Sequence, residues 1–227
     1  MSIAPLARRA QCATCLRPQS TCICRWITRT LHEVEALILQ HPREVARAKG
    51  TARLLHLSLP RSRLVVGEQF APAQLQALVL SPWPEGASAS EVRQALLLYP
   101  DTPQGPALGL LCSEPWRAGQ TLAPSEVRLI VLDGTWRESR KMLYLNPLLQ
   151  SLPRLALSEL PGSRYLIRKA QRAQQLSTLE ATCAALSQLE GSPGNFQPLL
   201  NAFDGFVSQQ SAYVGTMTRP NSRQRGG

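Results

Sequence analysis

The sequence predicts an α/β fold in which a mostly parallel β-sheet carries helices on both faces, with a small cysteine-bearing module ahead of it. Three observations carry this expectation. Short apolar runs bounded by Pro or Gly recur along the chain, as strands buried on both faces do. Segments of helical periodicity separate them, and strands alternating with helices build parallel sheets. Four of the six cysteines crowd into residues 12–24, before the first apolar run.

In chain order, "CATCLRPQSTCIC" opens the sequence proper, and "EALILQHP" reads as a strand entering a turn. "PREVARAKGTARLLHLSL" reads as a helix with Pro42 in its first turn, where a missing N–H costs nothing. "SRLVVGE", "LQALVLSP" and "QALLLYP" read as strands, and "VRLIVLDGT" and "PRLALSELPG" follow the same pattern. "WRESRKMLYLN" is helical, and so is "STLEATCAALSQLEG", which stops at Gly191. The expected organisation is a four-cysteine module over 1–30, a main domain over 31–207 and a C-terminal segment over 208–227. The last ten residues of that segment, "TRPNSRQRGG", are polar and basic and are expected to be disordered.

Composition narrows the function classes. Twenty-five Lys and Arg stand against 15 Asp and Glu, a net charge of +10 and a pI near 10. Most of the excess is arginine, whose planar fork suits phosphate, so a nucleic-acid partner is expected over a merely solvated basic surface. No apolar run reaches the roughly 18–20 residues that span a bilayer, and the N-terminus lacks the apolar core of a signal peptide. A soluble, cytoplasmic protein is therefore expected, with no membrane association, and no protein partner is evident.

The cysteines Cys12, Cys15, Cys22 and Cys24 have the spacing C-x2-C-x6-C-x-C. Four thiolates so close in a cytosolic chain complete a tetrahedral zinc shell, and a loop this short needs such a staple. Two disulfides, a redox pair, or His32 in place of one thiolate are the alternatives, and the first is disfavoured in a reducing compartment. Four protein ligands leave no open position, so the metal is structural. Cys112 and Cys183 lie in apolar surroundings and read as inert core residues.

The run "IVLDGTWRE" ends a buried strand in an acid, a glycine, a hydroxyl and a tryptophan. Thr135 and Glu138 have the spacing of a capping box, which leaves Asp133 and Trp136 unexplained. Ser177 and Glu180 repeat the spacing, followed by Leu179, Cys183 and Leu186 as an inward stripe. Two capped helix starts would offer N–H groups to a ligand. Between them "GSRYLIRKAQRAQQ" carries Arg164, Arg168, Lys169 and Arg172, a solvated face or a phosphate track. No G-x-G-x-x-G, no phosphate loop and no G-x-S-x-G elbow is present, which disfavours a Rossmann dehydrogenase, a P-loop NTPase and an α/β-hydrolase.

Asp133, Gly134, Thr135 and Trp136, within "LDGTWRESRKMLYLNP", resemble the signature of the DTW-domain family. The cysteine spacing, "HPRE" at 41–44, "TARLLHLSL" at 51–59, "LLLYP" at 96–100, "SRYLIRKA" at 163–170 and "LSTLEA" at 176–181 extend the resemblance over most of the chain. Gly50 departs from it, because members of that family usually carry Asn before the Thr. The resemblance implies a SPOUT-like fold with a C-terminal trefoil knot that holds S-adenosylmethionine. It implies transfer of the 3-amino-3-carboxypropyl group of that co-substrate to N3 of a tRNA uridine, in the variable loop for bacterial members, with release of methylthioadenosine. Asp133 would be the base and Trp136 a stacking or pocket-lining residue. Thr135, Ser158, Tyr165, Ser177 and Thr178 would bind the co-substrate, and Arg164, Arg168, Lys169 and Arg172 the tRNA. Two rival classes stand beside this: a SAM-dependent RNA methyltransferase of similar fold, and a non-catalytic zinc-dependent RNA-binding protein.

Overall fold

The computed structural model describes residues 10–83, 93–100, 116, 122–157 and 176–217. Among these residues five strands form one parallel sheet: β1 (Glu35–Gln40), β2 (Ser62–Val66), β3 (Gln94–Leu98), β4 (Val127–Asp133) and β5 (Arg154–Leu155), in the spatial order β2-β1-β4-β3-β5. The central strands β1 and β4 are apolar almost throughout because both of their faces are covered.

Alternation along the strands divides the core in two. Ala36 and Ile38 of β1 and Leu129 and Val131 of β4 face a layer made by α1 (Ala52–Ser58), α5 (Thr178–Glu190) and α6 (Gln197–Met217). Leu37, Leu39 and Ile130 face the opposite layer of α2 (Pro72–Leu80), α3 (Trp136–Leu145) and α4 (Pro147–Ser151). Leu179, Cys183 and Leu186 of α5 are wholly buried, and Gly191 ends that helix in the left-handed conformation at φ 61°. The segment carrying the four cysteines packs into the first layer, where Cys15 and Ile23 share the core with Phe203 and Phe206.

Two local expectations are corrected. The run 75–82 is not a strand: Pro72 starts a helix that takes it in, and Leu75 and Val79, four apart, form its buried side. The expected helix from Pro42 is interrupted. A 3-10 turn spans Pro42–Glu44, and α1 begins only at Ala52. The intervening backbone is instead held by Arg17, which donates to Ala48 O at 2.6 Å and Gly50 O at 2.7 Å. Of the run 153–162, Arg154–Leu155 form a strand as expected, and residues 158–162 lie outside the described residues. Helix α6 was not anticipated, and it crosses the 207/208 boundary.

At the N-terminal ends of the strands, register pairs Glu35 with Arg128. Nε of the fully buried Arg128 donates to Glu35 at 2.8 Å, Nη2 forms an ion pair with the same carboxylate at 2.6 Å, and Nη1 donates to the carbonyls of Leu78, Val79 and Ser81 at the end of α2. Arg93 adds a second contact to Glu35 at 2.8 Å. This ion cluster satisfies helix-end carbonyls that α2 would otherwise leave unpaired.

Candidate functional site at the tips of β1 and β4

Helix α1, which follows β1, packs on one face of the sheet, and α3, which follows β4, packs on the other. Adjacent parallel strands whose connections leave on opposite faces open a crevice at their carboxyl ends, where ligands bind in α/β proteins. Gln40 and Asp133 are its two lips, paired in register.

Asp133 is buried and accepts two hydrogen bonds there. Gln40 Nε2 donates to Oδ2 at 2.9 Å, and the Thr178 hydroxyl donates to Oδ1 at 2.6 Å. The second bond brings the N-terminus of α5 against the end of β4. Thr51 Oγ1 accepts from Leu179 N at 3.3 Å, which ties the start of α1 to the same helix start. Both expected capping boxes are present. Thr135 Oγ1 accepts from Glu138 N at 3.3 Å and donates to Glu138 Oε2 at 2.8 Å, and Ser177 Oγ accepts from Glu180 N at 3.2 Å. These hydroxyls are therefore committed to their helices, and Thr178 to Asp133.

Trp136 stands at the crevice with 53% of its surface exposed, its ring edge-on to Tyr99 at 5.8 Å between centroids. The aromatic partner that the sequence reading lacked for Trp136 is this tyrosine.

Under the α3 side of the crevice lies a carboxylate–imidazole network that sequence reasoning missed. The buried His41 contacts Glu68 through Nε2 at 2.9 Å, and its Nδ1 accepts from Arg43 N at 3.2 Å, 3.6 Å from Glu138. His41 and then Lys141 hold Glu68 below the ordinary carboxylate range. Burial pushes Glu44 up against the pull of Arg47, and the nearby Asp133 and Glu138 push the same way. Burial also opposes ionisation of Glu138, but the N–H and hydroxyl of Thr135 outweigh it and keep that carboxyl low. The available signal was "HPRE": a histidine and an acid just beyond a buried strand end.

The cysteine cluster is a separate site. The four sulfurs of Cys12, Cys15, Cys22 and Cys24 all lie within 4.8 Å of one another, with Cys12–Cys24 at 3.5 Å and Cys15–Cys22 at 3.8 Å. None is in a disulfide. Tetrahedral zinc with Zn–S of about 2.3 Å sets its sulfurs roughly 3.8 Å apart, so the set fits that ion. Backbone N–H groups of Cys15 and Thr14, with the Cys24 thiol, lower Cys12 to about 6, whereas burial and its neighbouring thiols push Cys24 up to about 12. Leu16 holds the left-handed conformation at φ 58°, a strained state that persists where the surroundings over-determine it. His32 is not a further ligand, since Nδ1 engages Val34 O at 2.7 Å and Nε2 accepts from Arg61 N at 3.2 Å.

The structure thus brings Asp133, Thr135, Trp136, Ser177 and Thr178 to one crevice. Ser158, Arg164, Tyr165, Arg168, Lys169, Arg172 and Cys112 lie outside the described residues.

The chain is similar to proteins of known name over most of its length. It is 28% identical over 214 residues to tRNA-uridine aminocarboxypropyltransferase 2 of Macaca fascicularis, covering 92% of this chain and 66% of that protein. It is 30% identical over 207 residues to the protein of that name from Mus musculus, covering 89% and 64%. It is 32% identical over 211 residues to the one from Drosophila melanogaster, covering 88% and 74%. The chain thus spans slightly under two thirds of the macaque and mouse proteins. No solved structure matches it. The model of the DTW domain matches residues 9–211, a span that takes in the four cysteines, both capped helix starts and Asp133 itself. The chain belongs to the DTW-domain family.

Proposed function

We propose that this chain transfers the 3-amino-3-carboxypropyl group of S-adenosylmethionine to N3 of a uridine in tRNA, in the variable loop, releasing methylthioadenosine. The observation that carries the reading is Asp133, a carboxylate fixed by two hydrogen bonds at a sheet switch point beside an exposed tryptophan. The names of the relatives supply the reaction class.

Uridine N3 is a poor nucleophile until its proton leaves. Each oxygen of Asp133 accepts one bond from Gln40 or Thr178 and keeps lone-pair capacity for that proton. Positioned proton transfer of this kind contributes about 10²–10⁴-fold. The nitrogen then forms a bond to the γ-carbon of the methionine chain, the γ-carbon–sulfur bond breaks, and its electron pair leaves with sulfur. The co-substrate supplies the sulfonium that makes this carbon electrophilic. Trp136 presents a π-face to the uracil or to that cation. The starts of α3 and α5 both lie at the crevice, and their positive dipole ends favour a carboxylate of the methionine portion there.

A SPOUT-like arrangement with a knotted C-terminal half is part of this reading. The all-parallel sheet and the convergence of α5 on β4 support it, and Ser158 and Tyr165 would line its co-substrate pocket. Arg164, Arg168, Lys169 and Arg172 would carry tRNA backbone. Cys12, Cys15, Cys22 and Cys24 would hold one structural zinc, and the protein would act in the cytoplasm.

Two labelled forms of S-adenosylmethionine test the reaction, one labelled in the methyl group and one in the carboxyl carbon. The carboxyl label is expected to enter tRNA and the methyl label to leave with methylthioadenosine. Methyl label in tRNA would identify a methyltransferase instead, and neither label in tRNA would leave a binding protein.

A further inference from the structure

Helix α3 buries Glu138, Ser139, Met142 and Leu143. Its other side is Trp136, Arg137, Arg140, Lys141 and Tyr144, all exposed, with Tyr144 at 67%. Basic residues flanked by two uncovered aromatics run away from the crevice along one helix. Lys141 pairs with Glu68 at 2.9 Å, whereas Arg137 and Arg140 meet no acid among the described residues. Across the tip of β4, the segment after β1 exposes Arg43, Arg47 and Lys49, and among the described residues only Arg47 of these is paired, with Glu44 and more distantly Glu138.

We propose that the exposed side of α3 is the docking surface for the RNA strand that carries the target base, a proposal that rests on the tRNA reading above. Phosphates of the strand lie on Arg137 and Arg140. One base stacks on Trp136 beside Asp133, and another on Tyr144. Positions 136 to 144 span about 12 Å of helix axis at 1.5 Å per residue. That is roughly three to four stacked nucleotides at about 3.4 Å each. Arg43 and Lys49 meet the backbone on the far side of the crevice.

The combination selects RNA over other polyanions. Aromatic faces add nothing to the capture of an acidic protein segment, but every base has a face to stack. A membrane surface would require an apolar side free to insert, and the apolar side of α3, Met142 and Leu143, is already in the core.

The test compares the wild-type chain with Arg137→Ala/Arg140→Ala and with Tyr144→Ala, using an in-vitro-transcribed tRNA over a series of salt concentrations, and anionic phospholipid vesicles as competitor. Losing two phosphate contacts should weaken binding at low salt by tenfold or more. It should also flatten the log–log salt slope by about 1.4–1.8, at 0.7–0.9 per contact. Losing one stacked base should weaken binding by at least about fivefold with the slope unchanged. Unaltered melting temperatures are expected, since none of the three side chains is buried.

Wild-type affinity and slope in the double variant would overturn the proposal, as would absence of tRNA binding by the wild type, or vesicles displacing tRNA from this surface. The two levels separate cleanly. Carboxyl label entering tRNA at the wild-type rate in the double variant would sink the surface and leave the reaction standing. Surface-dependent tRNA binding without transfer of either label would keep the surface and sink the reaction.

Discussion

Asp133 is held in place by its neighbours, and each of them can be removed separately. Asp133→Asn keeps the shape and an acceptor for Thr178 but cannot take a proton. Transfer should fall by about 10²–10⁴-fold, with co-substrate affinity nearly unchanged, which single-turnover assays and calorimetry would separate. Wild-type turnover in that variant would remove Asp133 from the base role. Glu44 makes a prediction of opposite sign to the usual one for a carboxylate. Its value is raised by burial above the ordinary 4.5. Its contribution to stability is therefore present below 4.5 and is lost as pH rises through the raised value. Glu138, held low, contributes above 4.5 and loses that as pH falls. Glu44→Gln should accordingly raise the melting temperature near pH 7.5, by about 2–4 °C per kcal/mol recovered, and change little near pH 4. A lower melting temperature at both pH values would show that the Arg47 pair outweighs the burial.

At the scale of elements, the cysteine loop is the one whose shape a metal would set. Its residues 12–24 contain no helix beyond single 3-10 turns, so the sulfurs themselves must organise it. Replacing Cys12 and Cys15 together by Ser should release one zinc per chain, read by elemental analysis, and lower the melting temperature. Purified wild-type protein without metal and with freely reactive thiols would refute that. The elements legible in the sequence were those whose signals were local. The capping boxes at Thr135 and Ser177, the continuous apolar run of β4 and the stop at Gly191 depend on neighbours a few positions away. What was not legible depended on distant partners. The run 75–82 is as apolar as a strand, and only the sheet's choice of neighbours leaves Leu75 and Val79 as the buried pair of a helix. Residues 45–50 have helical composition, but Arg17 takes two of their carbonyls from over thirty positions away. The same holds in the site. Asp133 was visible as an acid after a buried strand, whereas Gln40, Tyr99 and Thr178 reach it or Trp136 only through the fold.

At the scale of the whole molecule, the segment after the cysteines and helix α6 are locked together. Trp26 lies against Gly205, where an added Cβ would overlap its six-membered ring, and its Nε1 donates to Gln209. In an isolated helix Gly205→Ala would stabilise by about 1 kcal/mol. Here the overlap should cost about 1–3 kcal/mol, so a lower denaturation midpoint is expected, and a higher one would show that Trp26 moves aside freely. Arg17 belongs to the same junction, stacked over Phe206 at 5.3 Å while it holds the backbone before α1. The junction closes over a separation of 183 positions between Trp26 and Gln209. On the ribosome its two halves are therefore made far apart in time, roughly 10–40 s at 5–20 residues per second. During that interval the cysteine loop has been synthesised, but the helix that covers Ile23 and Trp26 has not. A nascent chain stalled before residue 197 would present those side chains, and any metal-loaded thiols beside them, to chaperones and oxidants that never meet them in the finished protein.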